Sequence, residues 1–126
     1  EQNGTHMEVL GGRAVVTGVP RILDEMIFNL ADNAVKYSRA GGSVRITAGM
    51  QAGSAFIEVA DDGIGIPERA RERVFERFYR VDKSRSKQIG GTGLGLSIVK
   101  HGAAFHNAHV ALQSREGEGT TVRITF

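Results

Sequence analysis

Residues 89–100 read IGGTGLGLSIVK, and this stretch decides how the rest of the chain is interpreted. Four glycines fall within six residues, and an apolar run follows them directly. Glycine lets the backbone approach a ligand closely, and the first turn of a helix offers unpaired N–H groups beside a positive dipole end. We therefore predict a loop that runs into a helix over residues 93–105 and holds phosphate oxygens. Turn geometry alone is the alternative.

The composition predicts one globular domain. The chain has 126 residues, of which 40% are hydrophobic, and this is enough for a single core over residues 1–126. It has no cysteine, which excludes a disulfide framework and a cysteine zinc site. No apolar run approaches the roughly 20 residues that cross a bilayer. We expect a cytoplasmic domain cut from a longer protein, and anchoring of that parent in the cell membrane stays open.

Positive charge is concentrated just before the glycine-rich stretch. Residues 69–87 contain eight basic and three acidic side chains, whereas the whole chain has a net charge of +2. A nucleic-acid patch, a solvated surface and a polyphosphate-binding segment all fit such a run. Its position beside the glycines favours the third interpretation.

Periodicity and turn residues predict a mixed α and β chain. We predict helices at 20–38, 67–78 and 93–105, and strands at 7–10, 14–17, 44–48, 55–60, 110–113 and 121–126. The first two strands are expected to form a hairpin or paired edge strands. Tight turns at Ala52-Gly53 and over 117–119 require antiparallel pairing. The predicted fold is α+β, a two-layer α/β sandwich with a mixed, mostly antiparallel sheet covered by helices on one face.

The first predicted helix carries a polar stripe beside its apolar face. Glu25, Asn29, Asn33 and Lys36 recur at helical spacing, with Tyr37 at the margin. Asparagine is a mediocre helix former, so two of them at i and i+4 suggest a purpose beyond helix formation. An amide oxygen suits Mg²⁺, and a lysine ammonium suits phosphate. The alternative is that the stripe merely faces water.

Residues 61–67, DDGIGIP, follow the end of a predicted strand. A carboxylate at such a strand end can accept a hydrogen bond from the exocyclic amine of adenine. Adjacent strand residues point to opposite faces, which argues against both carboxylates acting on one substrate. We assign the pocket to Asp61, and an ordinary Asp-Gly turn is the alternative.

Three other kinds of site do not fit the sequence. The chain lacks the Gly-Lys-Ser/Thr of a P-loop, and its glycines do not directly follow a strand as a Rossmann motif requires. Four scattered histidines give no basis for a Ser/His/Asp triad.

Taken together, five segments resemble the catalytic ATP-binding domain of sensor histidine kinases in order and spacing. The segments are NLADNAVKY (29–37), DDGIG (61–65), FERFYR (75–80), GTGLGL (91–96) and GEGT (117–120). The resemblance covers about residues 7–126 and extends to the wider group that includes gyrase and mismatch-repair ATPases. It implies ATP and Mg²⁺ as ligands and a mobile lid over about residues 79–92, anchored by Phe75 and Phe78.

The resemblance also implies a role for each matching residue. Asn33 would ligate Mg²⁺, and Asp61 would hold the adenine amine. Arg80, Asn29 and Lys36 would be the catalytic residues, with Arg80 at the γ-phosphate. The remaining nucleotide-binding residues would be Tyr37, Gly63, Gly65, Ile66, Gly91, Thr92, Gly93, Leu94, Gly95, Leu96 and Thr120.

Asn29 bears on the type of reaction. Relatives that hydrolyse ATP carry a glutamate four residues before the magnesium asparagine, and an amide cannot take a proton from water. Transfer to a protein acceptor is therefore expected, and an ATP-binding regulatory module without phosphotransfer is the alternative. A nucleic-acid binder is the least favoured interpretation.

The implied partners are the dimerisation and histidine-phosphotransfer domain of the same protein and a response regulator. No histidine in this chain precedes an acidic residue, so the phosphoacceptor is expected outside it. We expect this domain to be a monomer and its parent a homodimer. The chain departs from the family pattern at Asn107, where glycine is common, and Asn tolerates the left-handed backbone conformation expected there.

Overall fold

The computed structural model describes residues 18–37, 41–76 and 95–126, together with the backbone of 6–11. Five strands and two α-helices lie in these ranges. In chain order they are β1 (His6–Gly11), α1 (Pro20–Lys36), β2 (Ser43–Gln51), β3 (Ser54–Asp61), α2 (Gly95–Phe105), β4 (His109–Arg115) and β5 (Gly119–Thr125). A 3-10 turn, Glu68–Ala70, lies between β3 and α2.

The strands form one mixed sheet in the order β1-β2-β3-β5-β4. β1 runs parallel to β2, and the other neighbouring strands are antiparallel. The register sets Val44 of β2 beside Asp61 of β3, and Asp61 beside Thr120 of β5. This arrangement confirms the predicted α+β sandwich with a mixed, mostly antiparallel sheet.

Both helices cover one face of the sheet, and the core lies between the two layers. Alternate strand residues face the helices, as the period of two requires. The core combines Val44, Ile57, Val59, Val122 and Ile124 of the sheet with Met26, Leu30, Val99 and Ala103 of the helices. A methyl group on Gly102 of α2 would lie 2.5 Å from Met26 of α1, so the missing side chain lets the helices approach closely.

A histidine joins the start of α1 to the end of α2. The Val19 amide donates to Nε2 of His106 over 3.0 Å, and the other ring nitrogen, Nδ1, lies 2.8 Å from the Gly102 carbonyl oxygen. Because Nε2 accepts a hydrogen bond from Val19, Nδ1 is the ring nitrogen that donates to the Gly102 carbonyl. His106 therefore satisfies one of the unpaired N–H groups at the start of α1, where Pro20 occupies the first helical position.

The turn after α2 has the geometry expected from its asparagine. Asn107 has φ 55, in the left-handed region. Its amide donates to Ala104, and the Ala108 amide donates to Ala103, which together form a Schellman motif. The expectation that Asn107 tolerates this conformation is confirmed.

The β2–β3 turn also matches its prediction. Ala52 and Gly53 both have positive φ, 53 and 83, as a two-residue type I′ turn requires. This turn fixes the pairing of Gln51 with Ser54, and with it the register along the two strands.

Two predicted elements differ from the structure. The single helix expected over 67–78 is wrong for the part described, because the hydrogen bonds that follow Pro67 are mostly of the i→i+3 type, from Ala70 to Pro67 and from Glu76 to Arg73. The parallel pairing of β1 with β2 was not predicted. Residues 14–17, the proposed partner of β1 in a hairpin, lie outside the described residues. In the described ranges, neither helix is long and apolar enough to cross a membrane.

Candidate nucleotide-binding site

Asp61 is the last residue of β3 and lies on the face that the helices cover. Ile57 and Val59 are buried on that face, and the two-residue repeat places Asp61 in line with them. The register sets Asp61 beside Thr120, and Thr120 beside Ser114 on β4. Three polar side chains therefore form a row across one end of an apolar surface.

The environment of Asp61 raises the pKa of its carboxyl group. Desolvation by burial is the largest effect and raises the pKa of Asp61 from its ordinary 3.8 to about 6. The Gly63 amide donates to Oδ1 over 2.9 Å, and this bond and one from the Thr120 backbone lower the pKa, whereas the charge of Asp62 raises it. A partly buried acceptor of this kind suits a ligand that brings an N–H donor.

The segment after Asp61 is attached to the β4–β5 hairpin by two hydrogen bonds. The Gly117 amide donates to the Ile64 carbonyl over 2.7 Å, and the Ile66 amide donates to Ser114 Oγ over 2.7 Å. Gly65 lies between these contacts with φ +72, and a Cβ there would fall 2.2 Å from the Arg115 carbonyl oxygen. Only glycine fits this position without displacing backbone.

Two further contacts attach the same segment to neighbouring elements. The Ile64 amide donates to the Tyr37 carbonyl at the end of α1 over 3.3 Å. Asp62 turns away from the core, and its Oδ1 accepts from the Ser43 amide over 2.8 Å at the start of β2. The adjacent carboxylates therefore have separate roles, as their strand positions predict. Tyr37 contributes its backbone here, and its predicted place beside phosphates stays a prediction.

One residue of the polar stripe on α1, Asn29, lies beside the first described residue of α2. Asn29 donates from Nδ2 to the Glu25 carbonyl over 2.7 Å, and this bond orients its amide. The Asn29 Oδ1 atom lies 3.6 Å from where a Cβ on Gly95 would be. Gly95 is the first residue of α2 that the structure describes. The structure thus brings together two of the predicted phosphate-binding elements.

The next two residues of the stripe, Asn33 and Lys36, differ in the contacts that their side chains make. Asn33 is half-buried, and its side chain makes no hydrogen bond to any residue that the structure describes. Lys36 forms an ion pair with Asp32 at 2.9 Å, a partner that sequence analysis missed. Mg²⁺ usually takes only one or two ligand oxygens from a protein, and a single amide oxygen on a half-buried helix face fits that number. The metal-binding role of Asn33 stays a prediction.

Several predicted site residues cannot be placed. Arg80, Gly91, Thr92, Gly93, Leu94 and the predicted lid over 79–92 lie outside the described residues. The Leu96 side chain of α2 is buried in the core, so a contact with nucleotide there would come from its backbone. Phe75, a predicted lid anchor, packs against the core, whereas Phe78 lies outside the described residues.

The comparisons with known proteins agree with this geometry. Residues 18–126 match the family model described as histidine kinase-, DNA gyrase B-, and HSP90-like ATPase. The chain belongs to this ATPase family. Together with the sensor histidine kinases that follow, this match confirms the predicted resemblance.

One curated relative is named as a sensor-like histidine kinase. The sensor-like histidine kinase SenX3 of Mycolicibacterium smegmatis is 49% identical over 111 residues, which are 88% of this chain and 29% of that protein. The chain therefore spans under a third of this curated relative.

Two solved structures share the fold closely. The mycobacterial sensor histidine kinase MprB superposes with a TM-score of 0.84 at 31% identity, over 99% of this chain and 83% of that one. Full-length ShkA in complex with AMPPNP gives 0.80 at 29% identity, over 98% of this chain and 26% of that one.

Substitution of Gly65 by alanine should disrupt the attached segment. Its positive φ costs roughly 1–2 kcal/mol for an L-residue, and overlap with the Arg115 carbonyl adds about 1–3 kcal/mol. Gly53→Ala is the matched control, because Gly53 has φ +83 and nothing within 4 Å of an added Cβ. Denaturant unfolding should show a larger loss for Gly65→Ala, and equal losses would contradict the proposed packing.

The raised pKa of Asp61 predicts how stability depends on pH. Between the unfolded value near 3.8 and the folded value of about 6, the folded protein binds more protons, so its stability falls as pH rises through that window. Asp61→Asn should remove this fall. At pH 7.5 the nucleotide-free variant should be more stable than the parent by about 1–2 kcal/mol, a figure reduced because the carboxyl is only partly buried.

Thermal unfolding of both proteins between pH 4 and pH 7.5 measures the difference. Asp24→Asn, which removes an exposed carboxylate on α1, controls for the loss of one charge and should change stability by less than about 0.5 kcal/mol. A constant gap between Asp61→Asn and the parent across this range would contradict the desolvation argument.

Proposed function

We propose that this domain binds Mg·ATP and transfers the γ-phosphoryl group to a histidine of a dimerisation domain in the same protein. Relay to a response regulator would follow. The domain would act as the catalytic part of a protein-histidine kinase in the cytoplasm, inside a homodimeric parent. Membership in the ATPase family supports the ATP-binding part of this proposal.

The observation that carries the proposal is the Asn29 amide beside the start of α2. Its Nδ2 is engaged by the Glu25 carbonyl, so Oδ1 faces Gly95, where phosphate would meet the helix N-terminus. An amide at this position can orient a reactant but cannot accept a proton from water. The arrangement therefore favours transfer to a nucleophile from another protein segment over hydrolysis.

The adenine end of the site is proposed at Asp61. Its carboxylate lies at the edge of the core, where water competes less for the hydrogen bond that an exocyclic amine would donate. Thr120 lies beside it in the register, and Gly63, Gly65 and Ile66 would form the adjoining wall.

The phosphate end would be formed by α1 and α2 together. Asn33 would hold Mg²⁺, which when bound neutralises part of the phosphate charge. Lys36 would contact the same phosphates either after its ion pair with Asp32 breaks or while that pair persists. Both are open to it because a lysine ammonium acts as a mobile point charge. Arg80 and the glycine-rich residues 91–95 are proposed from the family pattern to complete this end.

Nucleotide binding tests the adenine assignment. Asp61→Asn replaces a charge-assisted hydrogen bond by a neutral one and can turn an amide donor toward the adenine amine. The binding free energy of ATP should weaken by roughly 1.5–3 kcal/mol or more. Calorimetry with Mg·ATP should therefore find binding abolished in Asp61→Asn and retained in Asn29→Asp. Equal affinities in the two variants would refute the assignment.

Phosphotransfer tests the proposed reaction. The domain is mixed with a separately produced helical segment of its own parent protein that contains the acceptor histidine, and γ-labelled ATP is added. Acid-labile label should appear on histidine, and a segment with that histidine changed to glutamine should stay unlabelled. Tight binding of ATP without any labelled histidine would refute the kinase and leave the regulatory module as the function.

A further inference from the structure

Ser114 is a half-buried residue of β4 that no sequence motif pointed to. Its hydroxyl oxygen has three partners among the residues that the structure describes. The Ile66 amide lies 2.7 Å away, the Gly119 carbonyl oxygen 2.9 Å away and the Thr120 hydroxyl 2.8 Å away. One side chain thus joins β4, the start of β5 and the segment that follows Asp61.

The number of available protons fixes the direction of each hydrogen bond. A serine hydroxyl has one proton to donate and two lone pairs to accept with. An amide can only donate and a carbonyl oxygen can only accept, so Ser114 accepts from Ile66 and gives its proton to Gly119. The remaining lone pair faces Thr120, which must therefore donate its own proton to Ser114.

This direction determines what Thr120 offers to a ligand. With its proton held by Ser114, the Thr120 hydroxyl has only lone pairs left for other partners. Thr120 is paired with Asp61 in the register, and both lie at the same end of the sheet. A carboxylate and a hydroxyl that both act as acceptors favour a base that brings an N–H donor.

We propose that Ser114 is a positioning residue for base recognition, which holds the Thr120 hydroxyl as an acceptor and fixes Ile66 beside it. The site would thereby favour a purine with an exocyclic amine over one without it. The inference rests on the proposed ATP-binding function and adds a residue that determines its specificity.

The test compares ATP with purine riboside triphosphate, which has the same phosphates and ring system but lacks the exocyclic amine. Calorimetry gives the dissociation constant of each nucleotide for the parent and for Ser114→Ala. The preference for ATP is the ratio of the two dissociation constants, and it should fall about threefold to tenfold in Ser114→Ala. A change of that size corresponds to the loss of one hydrogen bond. Ser114→Thr, which retains a hydroxyl, should restore it.

Two controls separate positioning from a general structural role. Gln113→Ala alters the adjacent, exposed residue of β4 and should leave the preference unchanged. In a Thr120→Val background, Ser114→Ala should cause no further loss of preference, because its effect passes through the Thr120 hydroxyl. A purely structural role would lower the affinity for both nucleotides equally.

The possible outcomes are distinct. If the parent binds ATP and Ser114→Ala retains the full preference, or loses affinity equally for both nucleotides, the inference is wrong and the proposed function stands. If the parent does not bind ATP, both are wrong. Should Ser114→Ala fail to fold, Ser114→Cys serves instead, because its sulfur has nearly the same shape but accepts hydrogen bonds weakly. The same loss of preference in that variant supports the inference, and an unchanged preference overturns it.

Discussion

Burial of the Asp61 carboxyl at the end of β3 is the constraint on which the site depends. Desolvation disfavours its charged form, and the bonds from Gly63 and Thr120 offset this only in part. The fold thus holds an acceptor where burial disfavours its charge, as is common where a protein prepares a group for a ligand. That environment exists only because the register continues the apolar face of β3 into Asp61 and sets Thr120 beside it.

The strand order supplies the support that Asp61 needs. Because β5 lies between β3 and β4, the β4–β5 hairpin reaches the segment that follows Asp61. Ser114 and Gly117 then bind Ile66 and Ile64 across sequence separations of about fifty residues. Gly65 allows this approach because a Cβ would overlap the Arg115 carbonyl. The adenine end of the site is therefore built from two distant parts of the chain that the sheet brings together.

The packing of α1 against α2 positions the residues at the proposed phosphate end of the site. Contact between Met26 and Gly102 brings α1 and α2 close, and His106 joins the start of one helix to the end of the other. Asn29 is thereby placed opposite Gly95, so its side-chain amide lies beside the backbone of α2. Packing of the apolar faces thus determines the geometry of the polar stripe.

The sequence by itself determined α1, the β2–β3 turn, the left-handed position of Asn107 and the strand end at Asp61. Each depends on local chemistry: a helical period, two residues that accept positive φ, or a polar residue that ends an apolar alternation. Only the tertiary structure decided the parallel pairing of β1, the irregular turns after Pro67, and the pairing of Ser114 with Ile66. A strand's alternation shows which face is buried but does not identify its neighbour, and a lone serine carries no signal of a partner 48 residues away. These choices depend on which surfaces meet when the helices and sheet pack, and that is set by the whole chain at once.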